Sequence, residues 1–286
     1  MKVKICAAQM GIIPLNVKEN TKKAELLIET AAKEGCDIIC FPEYFLTGAV
    51  ADETLKYAQG IPGAYTEKFC KLAKEQGLHI IMGTIIEKID ENYYNTSVLI
   101  DDSGRIVGKY SKSRLWFSEK KYLKEGNKTP VFETKFGRVG ITICWDLAFP
   151  EIIKEMALKG AKIVFCPSHW YYEDKYGAFL YYEDQYGAST AETLRKKVPE
   201  HNTDAIFVDA CASARAIENE LVHIFVNAAD RYRNFSLLGR TQINVPFYGR
   251  IASIESNEEK LLIRDLDLDL VDLAEEVYRI REEGKR

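Results

Sequence analysis

The apolar positions change period twice early in the chain. Residues 3 to 10 form a nearly continuous apolar run, which predicts a buried strand. From Val17 to Glu34 the spacing lengthens: Ala24, Leu27, Ile28 and Ala31 fall at i, i+3, i+4 and i+7, with lysines and glutamates opposite and Gly35 as the stop signal. That is an amphipathic helix. Asp37-Ile38-Ile39-Cys40-Phe41 is again short and apolar, so the chain opens as strand, helix, strand. The unit recurs. A helix at Thr66 to Gln76 stops at Gly77 and leads into a strand from Leu78 to about Ile86. A strand at Thr96 to Ile100 turns through Asp101-Asp102-Ser103-Gly104 into Ile106 to Tyr110, which makes that pair antiparallel. Val139 to Cys144 reads as a buried strand, Pro150 to Leu158 as a helix with proline in its first turn, and Ile163 to Cys166 as the next strand. Ile263 to Leu270 alternates with period two, as a strand with one wet face does. Val271 to Arg286 reads as a charged terminal helix, a solvated tail or a docking arm, with Glu275 and Arg279 at ion-pair spacing. An α/β protein with mixed sheets follows. No linker-like stretch divides it, so one domain over 1–286 is expected.

Composition narrows the partners. With 39 basic against 43 acidic residues and 29% charged, nothing argues for nucleic acid, and no apolar run approaches a membrane span. Lys2 and Lys4 precede an apolar stretch, but Gln9 interrupts it and no small-residue cleavage site follows, so no leader is expected. The seven cysteines lack C-x-x-C spacing and read as reduced thiols of a cytoplasmic protein. Histidines 79, 169, 201 and 223 are too scattered to pair on a metal; neither a metal nor a cofactor is expected. YYEDKYGA at 171 to 178 and YYEDQYGA at 181 to 188 nearly repeat, but two copies do not make a solenoid, and we read them as a surface loop or pocket rim.

Chemistry concentrates at strand ends. Cys144 closes the strand GRVGITIC before a helix-opening WDLAFPE; free backbone N–H groups and a positive helix end there favour a thiolate and an adjacent oxyanion. Glu43 follows the strand ending in Phe41, where partial desolvation raises a carboxyl pKa towards that of a general base. Lys112 follows Ile106 to Tyr110. It and Glu119 lie in a stretch crowded with Lys109, Arg114, Lys120 and Lys121, which by itself reads as a solvated face. Together, a thiol, a carboxylate and an ammonium can attack a carbon doubly or triply bonded to oxygen or nitrogen, shuttle the proton and stabilise the anion.

FPEYFLTG, GKYSKSRLWFSEKKYLKEGN and GITICWDLAFPE, in that order, resemble the three catalytic signatures of the nitrilase superfamily of carbon-nitrogen hydrolases. Further similar segments run from VKICAAQM to LIRDLDLDLVDLAEEV. The resemblance implies a four-layer α-β-β-α sandwich and a homodimer or higher homo-oligomer. It also implies Cys144 as nucleophile, Glu43 as base and acid, Lys112 as oxyanion stabiliser and Glu119 as positioning group. Tyr44, Trp145, Pro167, Ser168, His169 and Trp170 match pocket-lining positions. Trp145-Asp146, where nitrile-cleaving members carry Trp-Glu, is similar to amidases and N-carbamoyl amidohydrolases. The expected activity is therefore hydrolysis of a small amide or N-carbamoyl compound through a thioester, with nitrile hydrolysis as the alternative. A cysteine-histidine hydrolase using His169, His201 or His223, and a catalytically silent scaffold, are the readings from outside this one.

Overall fold

The computed structural model describes residues 1–172, 193, 196–197, 202–232 and 235–284. Two mixed sheets pack face to face. The first runs β16 (Lys260–Asp267), β1 (Lys2–Gln9), β2 (Ile38–Cys40), β3 (His79–Ile81), β5 (Asn92–Ile100) and β4 (Ile85–Ile89), with β6 (Ile106–Ser111) also on β5. The second runs β15 (Gly249–Ser253), β14 (Gln242–Val245), β11 (Val222–Asn227), β9 (Ala161–Ser168), β8 (Gly137–Ile141) and β7 (Val131–Thr134). A small third sheet joins β10 (Tyr171–Tyr172), β13 (Phe235–Leu237) and β12 (Arg231–Tyr232).

Alternation in β1 explains the layering. Val3, Ile5 and Ala7 enter the core shared with Ile163 and Ile224 of the second sheet, while Cys6, Ala8 and Met10 pack against Ala24, Ile28 and Phe69. Those partners sit on α1 (Val17–Lys33) and α2 (Ala64–Gln76), which cover the outer face of the first sheet. On the second sheet the cover is α3 (Pro150–Leu158) and α4 (Thr203–Glu218), through residues such as Ile153, Met156, Val208 and Ala212. The result is an α-β-β-α sandwich. Asn16 caps α1 by accepting from the Glu19 N–H, and truncating the buried Ile28 on its inner face to alanine would cost about 2–5 kcal/mol.

Three sequence expectations change. The strand expected from Leu78 to Ile86 is two, β3 and β4, laid end to end along one edge of β5. Gly83 makes the break at φ +51°, where a Cβ would lie 2.0 Å from the Pro42 carbonyl oxygen. Towards the C-terminus, the strand expected to reach Leu270 stops at Asp267, because β16 pairs with β1 from Gln9↔Lys260 to Lys2↔Asp267 and β1 offers nothing further to pair with. The chain then turns into α5 (Asp269–Tyr278) and α6 (Ile280–Glu283), separated by Arg279 in the left-handed region. Glu275 accordingly pairs not with Arg279 but with Arg281, 3.3 Å away. The terminal segment is docked, since Glu220 accepts the backbone N–H of Ile280 at 3.0 Å. Most of the YYED repeat lies outside the described residues, and among those described no helix is long and apolar enough to cross a membrane.

Candidate active site

Four loops meet at one cleft. Glu43 follows β2, with its backbone N–H donating to Ser168 O at 3.3 Å. Next to it, Tyr44 takes φ +56° and donates its backbone N–H to Thr84 Oγ1, so the Gly83 break and the Glu43 loop form as a unit. Lys112 follows β6; its N–H bonds Asn95 O and its C=O accepts from the Gly126 N–H, both at 2.8 Å. Glu119 lies in a short 3-10 turn, Phe117–Lys121. Cys144 opens another, Cys144–Ala148, at φ +47°, a conformation that costs a non-glycine residue about 1–3 kcal/mol unless its surroundings enforce it.

Asp146 supplies that enforcement. Fully buried, it accepts from Ile143 N–H (2.9 Å), Arg114 N–H (2.8 Å) and the Tyr110 hydroxyl (2.7 Å). These bonds tie the cysteine turn to the segment that carries Lys112. Burial raises the Asp146 pKa to about 6, against the opposing effect of its donors.

Lys112, only 1% exposed, reaches Glu43 Oε1 and Glu119 Oε2 at 2.8 Å each. The charge run around it is solvated; Lys112 is not. Asn95 Nδ2 lies 2.7 Å from Glu43 Oε1, 2.9 Å from the Tyr44 hydroxyl and 3.1 Å from Glu119 Oε1. Tyr44 in turn donates to Glu119 Oε1, the Trp116 N–H to Glu119 Oε2, and the His169 N–H to Glu43 Oε2 at 2.9 Å. Burial disfavours the Lys112 ammonium, yet Glu119 and Glu43 outweigh it and hold its pKa well above the usual lysine range. The Glu43 carboxyl is pushed up by burial, with Lys112 opposing and Glu119 adding.

The thiolate expected at Cys144 is corrected. Burial, then the Glu43 charge, raises the thiol pKa well above normal, and Lys112 and the His169 N–H only partly offset them. Nor does a helix end help, because α3 begins only at Pro150 and a one-turn 3-10 segment intervenes. Cys144 is a neutral thiol beside a carboxylate of raised basicity.

The cleft is a narrow, partly open pocket of about 70 Å³. Eight of the ten expected site residues line it: Glu43, Tyr44, Lys112, Glu119, Cys144, Trp145, His169 and Trp170. Pro167 and Ser168, in β9, do not. Sequence reasoning missed Asn95, one residue before its assumed strand start, and also Trp116 and Asp204 in the wall; Tyr171, the first residue of the repeat read as a surface loop or pocket rim, lines it too. No local signal marked Asn95, Trp116 or Asp204. Burial lowers the His169 pKa to about 4, so it is neutral and weakly basic near pH 7. His223, buried in β11, is lowered to about 3 and is not among the cleft residues; His201 lies outside the described residues. Among the described residues, no group of three His, Cys, Asp or Glu gathers as metal ligands do.

A family model described as carbon-nitrogen hydrolase matches residues 4–276. A nitrilase from Pyrococcus abyssi is 28% identical over 94% of this chain and 91% of its own, and the omega-amidase NIT2 of Xenopus tropicalis is 28% identical over 96% and 93%. Among solved structures, an amidase from Nesterenkonia sp. AN1, with acrylamide added to its active site cysteine, superposes at TM-score 0.75 and 19% identity over 99% of both chains. That last likeness is one of fold.

Proposed function

The chain belongs to the carbon-nitrogen hydrolase family, and we propose that it hydrolyses a small amide or N-carbamoyl compound, releasing ammonia through a thioester on Cys144. One observation carries the reading: the buried Glu43-Lys112-Glu119 array shares a narrow cleft with a cysteine thiol. Glu43 takes the thiol proton as Sγ attacks the carbonyl carbon. Lys112 stabilises the oxyanion. When the tetrahedral adduct collapses, the C–N bond breaks and the proton on Glu43 passes to the departing nitrogen. A water molecule then loses a proton to Glu43 as it attacks the thioester, and the thiol is reformed with the acid product. Glu119 acts by holding Lys112 and Tyr44 in place. The neutral resting thiol supports Glu43 as an obligatory base, and the low basicity of His169 argues against a cysteine-histidine mechanism.

Trp145-Asp146 favours the amide reading over the nitrile one. A nitrile reaches the same thioester after one additional hydration, so it remains the second reading. The proposal includes one domain, a cytoplasmic setting, in keeping with seven free cysteines, and a homodimer or larger homo-oligomer. The test is ammonia release from matched nitriles, primary amides and N-carbamoyl compounds, with Cys144→Ala alongside. Amide or carbamoyl turnover that the variant loses by more than about 10³-fold is the expected outcome. Nitrile-only turnover would move the assignment to the second reading, and no turnover of any class would favour a silent scaffold.

A further inference from the structure

Asn95 touches both glutamates of the array, and its own bonding is one-sided. It is fully buried in β5, opposite Ile86 of β4, and its Nδ2 lies 2.7 Å from Glu43 Oε1, 2.9 Å from the Tyr44 hydroxyl and 3.1 Å from Glu119 Oε1. Its Oδ1 is also buried and accepts no hydrogen bond among the described residues. Buried acceptors are ordinarily paired, so the amide is held by what its donor side meets: turned over, it would aim Oδ1 at the carboxylates of Glu43 and Glu119.

The oxygens of Glu43 are engaged unequally. Each carboxylate oxygen offers about two lone-pair sites. At Oε1 both are taken, by Asn95 Nδ2 at 2.7 Å and Lys112 Nζ at 2.8 Å. Oε2 accepts the His169 N–H at 2.9 Å, and among the described residues no second donor reaches it. The same N–H bears on the Cys144 sulfur, which puts Oε2 on the thiol side of the carboxylate. We propose that Asn95 is a positioning residue: with Lys112 it occupies Oε1, so that Oε2 is the atom that takes the thiol proton and returns it to the departing nitrogen. This rests on the amidohydrolase reading above. Asn95 bonds the ionised carboxylate more strongly than the neutral acid, so it also holds the Glu43 pKa below where burial alone would set it. It takes no part in bond breaking itself.

Labelling of Cys144 by iodoacetamide in the full-length protein reads the base without any substrate. Followed against pH by mass spectrometry of the Cys144 peptide, the rate should show an acid limb that Glu43→Gln removes. Asn95→Leu should move that limb upwards by about one to two pH units, the scale of one hydrogen bond to a charged group. Asn95→Ala, which cannot crowd the site, should move it the same way and carries the test if the leucine variant does not fold. Thr96→Val, which removes the Thr96–Ser111 hydroxyl pair from the same strand, should lower the melting temperature and leave the limb in place. A limb unmoved or lowered in the folded Asn95 variants, or raised as much by Thr96→Val, overturns the positioning role. A limb that survives Glu43→Gln overturns the base assignment and the positioning role with it. The upward shift with no hydrolysis of any amide, carbamoyl compound or nitrile would overturn the reaction assignment and leave the positioning role standing.

Discussion

Two clusters in this protein, one buried and one partly exposed, each set a pair of glutamates against one cation, and they are built differently. In the cleft, Lys112 contacts Glu43 and Glu119 at 2.8 Å each, and Asn95 bridges both carboxylates. At the C-terminus, Arg281 lies 3.9 Å from Glu220 and 3.3 Å from Glu275, and Glu220 takes its hydrogen bonds chiefly from backbone N–H groups of the docked segment. The cations respond in opposite ways: Lys112 is held well above its ordinary pKa, whereas burial lowers that of Arg281. One cluster concentrates charge on a cleft, and the other closes a seam. Glutamate pairs facing one cation thus line a cleft or dock a segment, according to whether the donors are side chains aimed at a cleft or backbone groups of a neighbouring segment.

The contrast is broken most forcefully at Lys112. Lys112→Met should lower kcat about 10²- to 10³-fold, the scale of one oxyanion donor, and lower stability by about 3–5 kcal/mol because two buried carboxylates lose their partner. Steady-state assay and urea titration measure the two losses. Asp146→Asn should lower kcat about 10- to 100-fold with KM nearly unchanged, since it frees the Cys144 turn from the Lys112 segment and removes a charged acceptor. Far-ultraviolet circular dichroism should stay native.

Acidity separates rate from stability at Glu43. Only its ionised form can accept the thiol proton, so kcat/KM should fall up to tenfold per unit as pH drops through its raised pKa, above the usual glutamate range near 4.3. A group with a raised folded pKa contributes stability below its unfolded pKa and loses that contribution as pH rises through the folded one. Melting temperature should therefore move opposite to rate in this window, and Glu43→Gln should flatten both profiles. The smallest effect on activity belongs to the other cluster: Arg281→Ala should leave turnover within about twofold while costing about 1–3 kcal/mol of stability as the seam loosens. A large activity loss there would erase the distinction.

Much of this was legible beforehand, for identifiable reasons. Period and stop signals located α1, α2, α3, the strands of the first sheet, and β8 and β9 of the second, because their buried faces follow the backbone repeat; β7, β11, β14 and β15 were not read. Local pattern could not register the Gly83 break, which arises from contact with Pro42, or the end of β16, which is set by where its partner begins. In the cleft, Cys144, Glu43 and Lys112 stood out at strand ends. Lys112 nonetheless looked like one member of a solvated charge run, and only the fold distinguishes it from Lys120 and Lys121. The expected thiolate failed for a related reason: a sequence shows which groups lie near a cysteine and not how deeply it is buried. Asn95 and Asp204 reach the cleft through tertiary packing, from strand and helix positions that carry no local mark.

The central claim is an acyl group on Cys144, and rapid-quench mass spectrometry of the intact protein tests it most directly. With a turned-over amide, the account predicts a transient mass increase equal to the acyl group, mapped to the Cys144 peptide, formed with stoichiometric ammonia release and absent in Cys144→Ala. Undiminished ammonia release from Cys144→Ala, with no adduct on any peptide of the unmodified protein, would contradict it.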